Sequence, residues 1–210
     1  MPNLHPTAKP VGLMLLIATC TIAAGCATRH AGPRYQTVPG GALRETAEAQ
    51  ALNDQGLAAI NRDDRESAER HFRSALERDL YYAPAHNNLG LVLLKTDRYY
   101  EAAWEFEYAQ RLAPSAVEPR DNLGLLYEEI GRIDRAIDQY EHARTLDPKQ
   151  LAPMQHLARA YVKAGRADNK TRNLLNELLA IPQDRQWDEW VRGQAIRLGR
   201  PPQPDDAPNP

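Results

Sequence analysis

Residues 117–150, VEPRDNLGLLYEEIGRIDRAIDQYEHARTLDPKQ, decide the fold. Leu123-Gly124 and Tyr127, then Ala136, Tyr140 and Ala143, fall at intervals of three and four, the period of a helix face. Pro148 follows, where a chain that cannot continue the helical hydrogen-bond ladder ends a helix. The same register recurs on both sides of this stretch. Gly56, Gly90, Gly124 and Ala158 lie 34 apart, as do Ala68, Ala102 and Ala136. Phe72, Phe106 and Tyr140 share one slot, which Leu174 continues, and both phenylalanines of the chain occupy it. Ala75, Ala109 and Ala143 follow suit, Leu89, Leu123 and Leu157 precede the small residue, and Pro114, Pro148 and Pro182 close three units.

A 34-residue period carrying Leu-Gly, an aromatic, Ala, a second aromatic and Pro resembles the tetratricopeptide repeat. The resemblance covers residues 49–184 as units 49–82, 83–116, 117–150 and 151–184, within a repeat region taken as 42–184. It implies an all-α, right-handed α-solenoid of helix-turn-helix repeats with a C-terminal capping helix. No unit buries its apolar face alone, so stacking makes a continuous core. The fourth unit departs from the pattern, with Lys170 and Glu177 where Ala is expected. After it, Trp187, Trp190, Val191, Ala195, Ile196 and Leu198 space an amphipathic helix over 185–199. This segment reads as a solvating cap; the alternative is that the tryptophans form a partner-binding patch. Residues 200–210 (RPPQPDDAPNP) read as a proline-rich disordered tail.

The chain has 210 residues, 26 Lys+Arg and 28 Asp+Glu, and a formal charge of -2, which argues against nucleic-acid binding as its main task. Sixteen prolines would ordinarily count against helices. Their placement reverses that. Five lie in the first 40 residues and five in the last ten, and the rest mark unit boundaries. Pro119 and Pro153 stand 34 apart at the starts of first helices, with Pro84 one residue out of phase.

Residues 1–25 have the layout of an export signal: Lys9, an uncharged run from Val11 to Gly25, then small residues before Cys26. Ala-Ala-Gly-Cys resembles the lipobox of bacterial lipoproteins, with Ala23 where Leu is usual. The resemblance implies acylation of Cys26, and Ala27 after it points to the outer membrane facing the periplasm. An ordinary signal peptide with an incidental cysteine, or a short uncleaved anchor, is the alternative. Residues 26–41 would then be the acylated cysteine and a tether of reach about 20 Å.

No GxGxxG, Walker, HExxH or GxSxG motif is present, and no His or Cys pairs at metal-ligand spacing, so neither an enzyme, a cofactor nor a metal site is expected. In the tetratricopeptide family the first helices line the concave face. There Asn53, Asn87, Asp121 and Gln155, and next to them Asp54, Asn88, Asn122 and His156, are all polar. Asn-Leu-Gly at 88–90 and 122–124 resembles the asparagine ladder of O-linked N-acetylglucosamine transferase, which grips peptide backbone. Helix caps or helix–helix hydrogen bonds are the alternative use of these residues. Leu57, Leu91, Leu125 and Arg159 lie on the next turn, with Asn61, Lys95, Glu129 and Lys163 beyond. Asn53 stands where the first lysine of the family's carboxylate clamp would be, so a simple EEVD reader is not expected. The surface suits a protein or peptide partner, and replacing Asn88 and Asn122 by Ala is expected to weaken capture without unfolding. The resulting expectation is a membrane-anchored adaptor of the bacterial cell envelope. The alternative is a structural subunit that oligomerises through its last unit and cap.

Overall fold

In a computed structural model of the chain, residues 45–199 are described. The expected signal (1–25), Cys26 with the tether to residue 41, and the tail (200–210) lie outside the described residues. Among the described residues every regular element is a helix. These are α1 (Thr46–Ile60), α2 (Arg65–Arg78), α3 (Ala83–Lys95), α4 (Tyr99–Leu112), α5 (Glu118–Glu129), α6 (Ile133–Leu146), α7 (Leu151–Lys163), α8 (Asn169–Leu179) and α9 (Arg185–Gly199). Helices pack in pairs, α1 on α2, α3 on α4, α5 on α6 and α7 on α8. Each second helix then packs on the next first helix, and first helices also touch one another. The result is an all-α helical-repeat solenoid.

The turn inside each pair repeats as faithfully as the core. Asp63, Asp97, Gly131 and Gly165 have φ of 58°, 59°, 74° and 69°. These four residues are spaced 34 apart. The following amide reaches back five residues in every unit: Asp64 to the Ala59 carbonyl, Arg98 to Leu93, Arg132 to Tyr127 and Arg166 to Tyr161. This is the Schellman closure, which satisfies the orphan carbonyls of a helix end through one left-handed residue. Two units supply glycine and two supply aspartate, whose short polar side chain tolerates that conformation. Asp64 and Asp168 then cap α2 and α8 by accepting from the amides of Ser67 (3.0 Å) and Thr171 (2.9 Å).

The packing reason for the period lies between paired helices. A Cβ built on Gly56 would sit 2.4 Å from Phe72, one on Gly90 2.6 Å from Phe106, and one on Gly124 2.3 Å from Tyr140. Each aromatic side chain is fully buried and lies on the bare backbone of its own unit's first helix. In the fourth unit Ala158 stands in the glycine slot and Leu174 in the aromatic slot, both buried. The smaller partner across the pair is what makes room for the methyl group.

The last helix closes the second half of the core. Val191 is fully buried, and Trp187, Trp190, Ala195 and Leu198 pack against the cluster that contains Leu157, Leu174 and Leu178. Ile196 stays 63% exposed on the other side of α9.

Glycine-to-alanine changes should therefore have opposite signs. Gly124→Ala is expected to destabilise by about 1–3 kcal/mol, because overpacking against Tyr140 exceeds the gain in helix propensity. Gly193, whose Cβ would meet open space, should stabilise by roughly 0.5–1 kcal/mol when changed to Ala. Urea unfolding of both variants checks this, and equal shifts would contradict it.

Candidate functional site

The polar residues of the first helices are paired, and their pairing follows a rule. Asn88 donates through Nδ2 to Asn53 Oδ1 at 2.9 Å. Asn122 donates likewise to Asn87 Oδ1 at 2.8 Å. His156 Nδ1–H donates to the Asp121 carboxylate at 2.8 and 3.0 Å. Every rung joins residues 35 apart, one more than the repeat, so it links neighbouring slots on adjacent first helices. At the far end Gln155 Nε2 donates to Gln183 Oε1 (2.8 Å), whose own Nε2 donates to the Leu178 carbonyl. The ladder thus runs into the turn before α9.

Of the two uses open to these residues, helix–helix hydrogen bonding is the one present. It does not exhaust them. An asparagine amide offers two N–H donors and two acceptor lone pairs. Asn122 Oδ1 makes no bond among the described residues, and Asn88 Oδ1 has only a long 3.5 Å contact from Asn87. Asn53 is 4% exposed, while Asn87 and Asn88 are half-buried. The rungs therefore hold the amides in place while leaving Asn87 and Asn88 partly accessible.

Beside the ladder runs an apolar surface. Leu57 and Ile60 are 41% and 40% exposed. With Phe72, Leu91 and Val92 they line a cavity of about 310 Å³, rimmed by Asp63, Arg65, Asn88 and Lys95. Asp63 and Arg65 pair with each other at 2.9 Å. Leu125 is half-buried in the equivalent place on α5.

At Arg159 the character changes. Glu128, 8% exposed, accepts from the Tyr140 hydroxyl (2.9 Å) and from Arg159 Nη2 (2.9 Å), with Lys163 Nζ 3.7 Å away. Burial pushes the Glu128 carboxyl up, but the hydrogen bonds and charges of Arg159, Tyr140 and Lys163 outweigh it, and it lies below the usual glutamate range. Burial first, and then Glu128, push the Tyr140 phenol well above the usual tyrosine range. Arg159 also lines a cavity of about 260 Å³ with Gln186, Trp187 and Trp190, the two indoles meeting edge to face at 5.3 Å. The tryptophans thus both pack on the last unit and open onto the first-helix face.

Sequence reasoning missed this cluster. Three departures from the repeat create it: Glu128 in the slot of Ile60 and Leu94, Tyr140 in that of the phenylalanines, and Arg159 in that of the leucines. A buried hydroxyl needs a partner, and Tyr140 was the available signal. A second buried pair, His86 Nδ1 with Glu105 Oε2 at 2.6 Å, lies between α3 and α4, where His86 also donates from Nε2 to the Leu80 carbonyl (2.8 Å). Its 19-residue separation follows no period. Among the described residues no three His, Cys, Asp or Glu side chains are grouped to hold a metal. No described helix is long and apolar enough to cross a membrane.

Residues 118–150 match the tetratricopeptide repeat family. The described helices carry the tetratricopeptide fold. Solved structures alike in fold include the first such domain of Spaghetti (RPAP3) bound to an HSP90 peptide, at 15% identity and TM-score 0.55, covering 58% of this chain and 96% of that one. The Arabidopsis OM64 tetratricopeptide domain aligns at 18% identity and TM-score 0.52, covering 55% and 95%. A Thermobaculum terrenum O-GlcNAc transferase aligns at 24% identity and TM-score 0.61, over 66% of this chain and 27% of that one. At such identities the likeness shows the fold alone. No curated protein matches the sequence.

The rungs change what asparagine substitutions should do. Asn88→Ala strands the buried Asn53 acceptor and is expected to cost about 1–3 kcal/mol. Asn122→Ala frees the half-buried Asn87 and should cost less. Thermal unfolding ranks the two, and a neutral Asn88→Ala would contradict the ladder. Glu128, held below its ordinary range, contributes stability that is present at neutral pH and lost as acid protonates it. Between about pH 6 and about pH 3, Glu128→Gln should therefore show a shallower fall in unfolding free energy than the parent. Parallel curves would contradict this.

Proposed function

We propose that this protein is a non-enzymatic interaction adaptor that holds a polypeptide segment on its first-helix face. The observation that carries the reading is the apolar cavity of Leu57, Ile60 and Leu91 set beside ordered but incompletely used amides. An extended peptide needs both: side-chain pockets for anchors, and donors and acceptors for its backbone. Of the candidate contacts, Asn87, Asn88, Gln155 and His156, with Leu91, Leu125, Lys95 and Arg159, are at least partly exposed, whereas Asn53, Asp121 and Asn122 are buried and serve by holding their rung partners in place. Spaghetti's domain, seen with an HSP90 peptide, supports the use of such a fold for peptide capture.

The lipobox-like Ala-Ala-Gly-Cys26 supports a lipid anchor, placing the adaptor in the bacterial envelope, at the outer membrane facing the periplasm. Two or more acyl chains would give stable attachment where one does not. Pilus, secretion or outer-membrane assembly machinery would supply the partner. A second reading, a subunit that assembles through its last unit and cap, is favoured by the exposed Ile196 on α9.

A photo-crosslinking residue at Lys95 should capture polypeptide partners in cells, whereas one at the exposed Glu107 on α4 should not. Equal capture from both positions would defeat the groove reading. Cys26→Ser should move the protein from membranes to the soluble fraction, and continued membrane association would defeat the anchor. If copies assemble through α9, Ile196→Asp should lower the sedimenting mass.

A further inference from the structure

The second unit departs from the repeat on the exposed face of α4. Tyr100, Trp104 and Tyr108 are spaced four apart, so they are neighbours along one side of that helix. The same slots hold Glu66, Arg70 and Ser74 in the first unit, Asp134, Asp138 and His142 in the third, and Asp168, Arg172 and Asn176 in the fourth. Three units thus fill these slots with polar residues, and the fold has no need of aromatic ones. In the second unit the rings of Trp104 and Tyr108 stack, their planes 5° apart and centroids at 5.2 Å. The Arg111 guanidinium lies 5.1 Å from the Tyr108 ring. Tyr100 is 94% exposed and Trp104 37%. From below, the buried His86 imidazole meets both stacked rings, with centroids 4.6 Å from Tyr108 and 6.3 Å from Trp104.

What singles out this place is the entry of the chain. Glu45 pairs with Arg78 at 3.1 Å, and the Thr46 hydroxyl donates to Asp79 at 2.7 Å. Asp79 also accepts from the Tyr81 amide, and the neighbouring Leu80 carbonyl accepts from His86 Nε2. One turn and one imidazole ring therefore link the first described residues to the stack. The residues ahead of α3, α5 and α7 belong to the preceding unit, whereas those ahead of α1 belong to no repeat. Residues 35–44, YQTVPGGALR, carry Tyr35, the sole Phe, Trp or Tyr before α1, with Val38 and Leu43. Pro39-Gly40-Gly41 supplies a reversal of direction. Ten residues span at most about 36 Å, ample for the path from Glu45 past one turn. Because the segment is covalently tied to Thr46, its effective concentration at the stack is of the order of millimolar, which a free partner would have to exceed.

We propose that residues 35–44 dock on the exposed face of α4, with the Tyr35 ring on the Trp104–Tyr108 stack. The aromatic departures of the second unit are then the seat of the chain's own leading segment, and the tether ends at Tyr35. The contact lies on a second helix, apart from the first-helix face, and rests on neither the peptide reading nor the lipid anchor.

The test is trypsin cleavage of the full chain in detergent, read by mass spectrometry. Cleavage after Arg34 requires Tyr35 to leave its seat, whereas cleavage after Arg29 lies ahead of the docked segment and serves as the internal standard. Trp104→Arg with Tyr108→Ser gives the second unit the residues that the first carries in these slots, so the fold should persist, which circular dichroism checks. In that variant cleavage after Arg34, relative to Arg29, should rise about tenfold or more, since proteolysis tracks the population of the open form. Tyr35→Ala, which leaves every helix unchanged, should give the same rise, and all three changes together should give no further rise. Equal relative rates in the parent and Tyr35→Ala would overturn the proposal. A rise with Tyr35→Ala but not with the stack variant, or additive effects of the two, would place Tyr35 elsewhere and overturn it as well. Protection lost on dilution would assign the stack to a second copy and would also overturn it.

Discussion

The contact between a glycine on the first helix and an aromatic ring on the second is the constraint on which the rest depends. It brings the two backbones of a unit close enough for the ring of Phe72, Phe106 or Tyr140 to lie where a side chain would otherwise be. Because the contact recurs every 34 residues, every other part of the unit is placed relative to it. The left-handed turn at Asp63, Asp97, Gly131 and Gly165 falls at a fixed offset from it. So do the polar pair ahead of the glycine and the leucine behind it. The fourth unit obeys the same volume rule with different residues, alanine against leucine.

Stacking then turns a sequence period into a surface. Placing one unit on the next brings the second polar slot of one first helix against the first polar slot of its neighbour, and the rungs form. Their chemistry is graded: amide with amide in the first two, carboxylate with imidazole in the third, glutamine with glutamine at the end. The apolar row beside them is likewise graded, from exposed Leu57 to ion-paired Arg159. The members of one face therefore differ in chemistry although the backbone repeats.

The helical class, the repeat and the position of the proline boundaries were legible because each rests on one residue type recurring at one interval. The turn residue recurs at the same interval but changes from aspartate to glycine, so its regularity is conformational rather than chemical. The rungs were hidden for a different reason. They join slots 35 apart, and only the stacking of first helices shows that Asn88 meets Asn53. The Glu128, Tyr140 and Arg159 cluster draws on three helices, and His86 with Glu105 obeys no period at all. Periodicity locates what the units share, whereas what distinguishes one unit from another lies in residues that break it.

The claim that an aromatic ring excludes a methyl group from the glycine slot is open to direct measurement. Gly90→Ala is introduced both in the parent and in a Phe106→Leu background, and the unfolding free energies are compared as a double-mutant cycle. In the parent the substitution should destabilise. In the Phe106→Leu background, which recreates the Ala158–Leu174 pairing of the fourth unit, it should be neutral or stabilising. The same loss in both backgrounds would contradict the account.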